Sequence, residues 1–150
     1  MAKKWLTRED SIKYLNEAFY GHLATVHNNQ PYLVPVNYVY HQNHLYIHSA
    51  LQGQKIANIR ENSWVCFEIS HPIQLLPGKK PCLFGVHYWS VLVFGQANIL
   101  DDINLKTTAL KLLIKKYSHD DNLTPMDPND IENVAIIDIR IETISGKANN

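Results

Sequence analysis

The pattern that most narrows the fold is a strict two-residue alternation of apolar and polar side chains. It is clearest in VAIIDIRIETISGK, residues 134–147. Ala135, Ile137, Ile139 and Ile141 fall on one side of an extended backbone, and Asp138, Arg140 and Glu142 on the other. Because successive side chains of a strand point to opposite faces, this segment is a strand with one face in a core and the other half exposed to water. The same period runs through LYIHS (45–49), where Leu45 and Ile47 oppose Tyr46 and His48. It recurs in SWVCFEIS (63–70) and in the long segment VHYWSVLVFGQANIL (86–100). Two more β-prone segments lie in HLATVHNNQPYLVPVNYVY (22–40), joined by the polar turn His27-Asn28-Asn29-Gln30. A second polar turn, His41-Gln42-Asn43-His44, leads on to LYIHS, so the reading predicts three consecutive strands in a meander.

Three helices are expected between these strands. Thr7 followed by Asp10 resembles a capping box with Asp in place of Glu, and Ile12, Leu15, Ala18 and Phe19 then recur at helical spacing, which predicts a helix over 8–19 closed by Gly21. Residues 52–61 form a second, with Ile56, Ala57 and Ile59 on its apolar side. Asp101 and Asp102 open a third that reaches Tyr117. The stretch HPIQLLPGKKPCLFG (71–85), punctuated by Pro72, Pro77, Gly78 and Pro81, is expected to be an irregular excursion, and SHDDNLTPMDPND (118–130) an acidic loop. Six strands joined mostly by hairpin-length turns lack the regular strand and helix alternation of a doubly wound sheet. The expected architecture is mainly β: a six-stranded antiparallel barrel carrying about three peripheral helices.

The 150 residues suit one domain, 1–150. The 14 Lys plus Arg balance the 14 Asp plus Glu, so no net charge draws the chain to nucleic acid. The longest apolar run, SVLVFG, is far short of the roughly 20 residues that span a bilayer, and the N-terminus meets charge before any signal-like stretch. A cytoplasmic protein with no membrane and no nucleic-acid partner is expected. Cys66 and Cys82 lack CxxC or Cys/His spacing and are read as packing residues. His41 and His44 sit in a turn with no Asp, Glu or Cys close in sequence, so no metal site is expected. The chain has no GxSxG elbow, no GxGxxG and no GxxxxGK[ST], which removes support for a serine hydrolase, a Rossmann site and a P-loop.

One stretch points to a ligand. In YIHSALQGQKIANI (46–59) a strand passes His48 and Ser49 and becomes a helix with Lys55 near its start, where the helix dipole disfavours a cation by about 0.3–1 kcal/mol. Two readings fit. The amides of Gly53 and Gln54, the Ser49 hydroxyl and the Lys55 ammonium together hold a phosphate, or Lys55 is a solvated side chain whose stem covers apolar surface. His48 is likewise either a ligand-facing donor or a satisfied histidine at a barrel rim.

GHLATV, QPYLVPVNYVY, LYIHSALQGQKIANIREN, VCFEI, YWSVLVFGQANIL and the terminal ETISGKA, taken in order, resemble the flavin-binding split-barrel family related to pyridoxamine 5'-phosphate oxidase, and most of all its nitroimidazole-resistance (Nim-like) branch. The resemblance spans about residues 8–148. It implies a homodimer of six-stranded split barrels with two FMN sites at the subunit interface. On matching positions, Val34, Pro35, Val36 and Asn37 would run beside the isoalloxazine ring, and His48, Ser49 and Ala50 would line the region from ring to ribityl chain. Gln54 and Lys55 would meet the phosphate, and Trp89 and Ser90 would lie near the flavin. Pyridoxamine phosphate oxidases carry an arginine where this chain has Gln54, and an arginine-containing tail where it ends in SGKANN. The resemblance therefore implies an FMN-dependent oxidoreductase reducing small electron-poor, nitro-type compounds, with no catalytic side chain named and the flavin supplying the chemistry. Related alternatives are a non-enzymatic flavin-binding protein, a deazaflavin in place of FMN, and a haem-binding or haem-degrading protein using His22, His48 or His87.

Overall fold

The computed structural model describes residues 3–118 and 125–149. In chain order the elements are β1 (Lys4–Leu6), α1 (Arg8–Glu17), β2 (Gly21–His27), β3 (Gln30–Val36), β4 (Val39–His41) and β5 (His44–Ser49). There follow α2 (Gln54–Glu61), β6 (Trp64–Leu76), β7 (Gly85–Ile99), α3 (Ile103–Tyr117), α4 (Pro128–Glu132) and β8 (Ala135–Asn149). No helix among the described residues is long and apolar enough to cross a membrane.

The strands form one antiparallel sheet in the order β3-β2-β6-β7-β8-β5-β4, with β1 added against β8. Its two ends, β3 and β4, are consecutive in the chain and separated only by Asn37 and Tyr38. A sheet whose ends are tied so closely has to curl on itself, and because no ladder joins β3 to β4 among the described residues the barrel stays split along that seam. The expected split barrel is thus present, with eight strands rather than six: β1 is additional, and the segment ending in VNYVY divides into β3 and β4.

That division corrects the expected meander. The two turns do close hairpins, β2 with β3 and β4 with β5, but β3 and β5 lie near opposite ends of the sheet. Asn28, Asn29, Gln42 and Asn43 take positive φ of 49°, 59°, 45° and 67°, the pairwise left-handed geometry of two-residue hairpins, which asparagine tolerates better than most residues. Between the hairpins Tyr38 leaves the sheet pattern and buries its ring completely, edge-on to Phe67 at 4.6 Å. The excursion is also shorter than expected. β6 continues through His71 to Leu76, taking up Pro72, which has no N–H for a ladder, in a register shift between Pro72 and Gln74.

Inside the barrel Leu23, Leu45, Ile47, Phe67, Ile69, Val91, Val93, Ile137 and Ile139 are almost fully buried, each worth about 1.5–3 kcal/mol relative to exposure. Leu15 of α1 and Ile56 and Ile59 of α2 join this core. A second, smaller core forms where Ala109 and Leu113 of α3 cover Val39 and Ile136 on the outer side of the sheet. Thr7 caps α1 as expected, its Oγ1 accepting the Asp10 N–H at 3.0 Å, and the helix ends at Glu17. Within the stretch read as an acidic loop, Asp127 caps the short α4 through a capping box with Pro128 in the first turn. The part of that loop at 119–124 lies outside the described residues.

Candidate functional site

Helix α2 begins without the usual compensation for its first-turn amides. Its N-cap is Gly53 at φ 136° and ψ 171°, so no side chain accepts from the first turn, and that turn has no acidic residue. A Cβ at Gly53 would meet nothing within 4 Å, so the glycine serves the positive φ and leaves open space in front of the helix. Lys55 lies half-buried in this turn. Just before it in the chain, Ser49 ends β5 opposite Ala135, is buried, and its Oγ has no hydrogen-bond partner. An uncapped helix start that carries a lysine is a place that suits an anion, and the orphaned Ser49 hydroxyl ends the strand that leads into it.

Gln54 is held in place from below. Its Nε2 donates to Asn58 Oδ1 at 2.7 Å, and Asn58 Nδ2 donates to Thr25 Oγ1 at 3.0 Å, which ties the first turn of α2 to the inner face of β2. Asn58 and Thr25 are both almost completely buried. An open cleft of about 210 Å³ lies beside this chain, lined by Gln54 and Asn58 on one side and by His27, Pro31 and Tyr32 of the β2–β3 hairpin on the other. Neither Asn58 nor Thr25 was singled out by the sequence. The spacing of Gln54 and Asn58, four apart on a helix, was the one available signal.

Ser49 and His48 do not act from the same side. Ser49 points inward with Leu45 and Ile47, while His48, opposite Ile136, is exposed on the outer face that also carries Tyr46. Ala50 follows in the exposed link to α2. Val34, Pro35 and Val36 lie on β3, an edge strand paired only with β2, and Asn37 begins the seam. An edge strand keeps one row of backbone polar groups unpaired, and Pro31 and Pro35 fit such a position because they have no N–H to give. A cleft of about 520 Å³ opens at the end of β3, bounded by Pro35, Val36 and Asn37, by Phe19 and Tyr20, and by Tyr117 of α3.

A tyrosine node fixes this seam. The Tyr38 N–H donates to Tyr117 Oη at 2.9 Å, and that hydroxyl stands 2.6 Å from the Phe19 carbonyl oxygen and 2.8 Å from that of Tyr38. Tyr38 Oη in turn donates to the Leu15 carbonyl at 2.6 Å. Burial pushes the Tyr38 phenol far above its ordinary value and, together with the Tyr117 phenol, keeps it a donor. Lys116 Nζ lies 3.8 Å over the Tyr38 ring, and burial lowers its pKa to about 8.

Trp89 and Ser90 stand on β7, opposite His71 and Ser70 of β6. Trp89 stacks on Tyr14 of α1 at 4.2 Å and 15°, and more loosely on His71 at 5.9 Å. It lines a further cleft of about 460 Å³ with Phe19, Tyr20, His22, Ser70 and His71. Phe19 and Tyr20 therefore wall both this cleft and the one at the end of β3. Cys66 and Cys82 are unpaired. Burial, and secondarily the Glu68 carboxylate, pushes the Cys66 thiol up, which suits a packing residue better than a nucleophile. Among the described residues no group of three His, Cys, Asp or Glu is placed to hold a metal.

The fold recurs in solved structures. A FAD-binding protein from Mesorhizobium loti is similar at 28% identity and a TM-score of 0.76, with all of both chains covered. A proposed 5-nitroimidazole antibiotic resistance protein from Bacteroides thetaiotaomicron is similar at 22% identity and a TM-score of 0.83, covering 98% of this chain and 89% of that one. A FAD and heme binding protein from Mycobacterium smegmatis is similar at 14% identity and a TM-score of 0.88, covering 100% of this chain and 74% of that one. No curated protein matches the sequence. The model of the pyridoxamine 5'-phosphate oxidase family matches residues 7–148, nearly the whole chain, and the protein belongs to that family.

Proposed function

We propose that this protein binds FMN and uses it to reduce small electron-poor molecules of the nitro type, working as a homodimer. The observation that carries the reading is the start of α2: a turn with no side-chain cap and no acidic residue, opened by Gly53 and carrying Lys55, suited to a phosphate. The residues present fit the rest of the group. A flat, hydrogen-bonding ring suits the edge strand Val34–Val36 with Asn37, and Gln54, steadied by Asn58, stands next to the phosphate position. When bound, the flavin supplies the electron transfer, and this chain's residues bind it, orient it and shield it from water. FMN and FAD share the ring, the ribityl chain and the first phosphate, so the same residues serve the shared half.

Support for the dimer comes from the outer face of β3-β2-β6-β7. Ladder register places Leu33, Ala24, Cys66 and Phe94 in one row and Pro35, His22, Glu68 and Leu92 in the next. Leu33, Leu92 and Phe94, with Trp64 nearby on β6, are exposed. Such a surface suits an interface of about 800 Å² per subunit.

The test is titration of FMN, and in parallel FAD, into apoprotein of the parent and of Lys55→Ala. Loss of a charge-assisted hydrogen bond of about 1.5–3 kcal/mol weakens binding by roughly 10- to 150-fold. Equal affinity in the two proteins would falsify the phosphate assignment. Absence of any flavin binding by the parent removes the function as a whole. Sedimentation of the parent tests the dimer, and anaerobic reduction by a nicotinamide donor followed by nitro and quinone acceptors separates an enzyme from a flavin carrier.

A further inference from the structure

The cleft between α2 and the β2–β3 hairpin has walls that give and accept hydrogen bonds. Ladder register pairs Thr25 with Tyr32 and His27 with Gln30, so these four side chains share the inner face of the hairpin. Opposite them Gln54 and Asn58, four apart, stand on one side of α2. The space between is about 210 Å³, lined by His27, Gln30, Pro31, Tyr32, Gln54 and Asn58, with no Lys, Arg, Asp or Glu among them. That is the share of about seven waters, room for a short hydroxylated chain or one sugar ring. Asn58 is 2% exposed, and both ends of its amide are committed: Oδ1 accepts from Gln54 Nε2 at 2.7 Å and Nδ2 donates to Thr25 Oγ1 at 3.0 Å. With one N–H given to Asn58, Gln54 keeps its Oε1 without a partner among the described residues.

A carbonyl oxygen so placed repels the oxygens of a phosphate and takes the hydrogen of a hydroxyl. Hydroxyls can also turn to suit the Tyr32 phenol and the His27 ring nitrogens on the other wall. We propose that this cleft seats a chain or ring of neutral, adjacent hydroxyls attached to the phosphate at the start of α2, and that Gln54 Oε1 accepts from one of those hydroxyls. Asn58 is the positioning residue, because its Oδ1 fixes which end of the Gln54 amide is offered. This assignment rests on the flavin reading above, and it leaves the phosphate itself to Lys55 and the first-turn amides. Two ligands supply such hydroxyls: the ribityl chain of a flavin and the ribose of a nucleotide.

The experiment titrates apoprotein with riboflavin, which has the ribityl hydroxyls but no phosphate, with lumiflavin, which has only the ring, and with AMP. The parent binds riboflavin about tenfold more tightly than lumiflavin. Gln54→Met, which keeps the length of the side chain but loses the carbonyl, weakens riboflavin binding about tenfold and leaves lumiflavin unchanged. Gln54→Glu keeps an acceptor and binds riboflavin as the parent does, because the Thr25 hydroxyl can donate to Asn58 Oδ1 and reverse the chain. Asn58→Ala weakens riboflavin binding in the parent but adds nothing in the Gln54→Met background, and equal losses in both would overturn the positioning role. If AMP loses affinity in Gln54→Met while riboflavin does not, the hydroxyls belong to the ribose of a nucleotide. The cleft assignment is overturned if the parent binds neither riboflavin nor AMP, or if Gln54→Met binds both as the parent does. A Gln54→Glu variant as weak as Gln54→Met overturns the acceptor role. FMN, titrated alongside, separates the two readings. A parent that binds no flavin defeats the proposed function, and FMN binding with Gln54-independent riboflavin and AMP defeats only the cleft.

Discussion

Tyr117→Phe deletes one oxygen from the node that closes the barrel seam, and its cost can be worked from the contacts. The hydroxyl accepts from the Tyr38 N–H at 2.9 Å and has a single hydrogen for two carbonyl oxygens, those of Phe19 at 2.6 Å and Tyr38 at 2.8 Å. Three contacts therefore amount to two hydrogen bonds, about 1 kcal/mol each. Removal also strands the Tyr38 N–H, next to a residue that is fully buried, and an unsatisfied donor there raises the total to about 2–4 kcal/mol. Urea unfolding of apoprotein followed by far-UV circular dichroism reads this directly. With a slope of about 2 kcal/mol/M, the middle of the usual range in urea, the midpoint falls by about 1–2 M with the slope unchanged. Because the apoprotein is used, the result does not depend on any ligand. A loss below about 0.5 kcal/mol would mean that water replaces the hydroxyl and that the seam is held by packing alone.

Two other perturbations follow from single observations. Burial lowers the Lys116 pKa to about 8, so between about pH 8 and the ordinary lysine value near 10.5 the unfolded chain binds more protons than the folded one and stability rises with pH. Lys116 is only partly buried, and its contact with the Tyr38 ring favours the charged form, so the rise is held to about 1 kcal/mol. Lys116→Met removes that slope over pH 8–10, and parallel stability profiles of parent and variant would refute the account. Above pH 10 the sign reverses, because the raised Tyr38 phenol stays protonated in the fold while its unfolded counterpart ionises. Gly146→Ala places a Cβ 2.3 Å from Ser11 Oγ and 2.9 Å from Leu6 Cβ, where α1 and β1 cross β8. Thermal unfolding should show a loss of about 1–3 kcal/mol, and an unchanged midpoint would mean that α1 lifts off the strand without cost.

The strands were legible because each is amphipathic by itself. Ile137 and Ile139 against Asp138 and Arg140, or Leu45 and Ile47 against Tyr46 and His48, need no knowledge of what they pair with. The order of the strands was not legible in the same way. VPVNYVY keeps an alternating, β-branched character across the seam, and only the burial of Tyr38 against Phe67, 29 residues away and visible only in three dimensions, breaks it into β3 and β4. Ile136 was hidden for a similar reason, since its burial depends on α3 crossing the outer face of the sheet.

The site divides along the same line. The features behind the proposed phosphate site, Gly53 and Lys55, are local ones, because a helix start without a cap and with a cation is unfavourable whatever the fold. His22 and Glu68, 46 residues apart, carry no such sign. Each lies in an ordinary alternating strand, and their juxtaposition exists only because β2 pairs with β6 in one register. A slip of β2 by one residue would turn His22 toward the core and leave Glu68 on the surface without it. The alternation that puts Leu23 and Phe67 inside the barrel is thus also what brings an imidazole and a carboxylate into contact on its surface, a pairing that follows from core packing and that no local motif encodes.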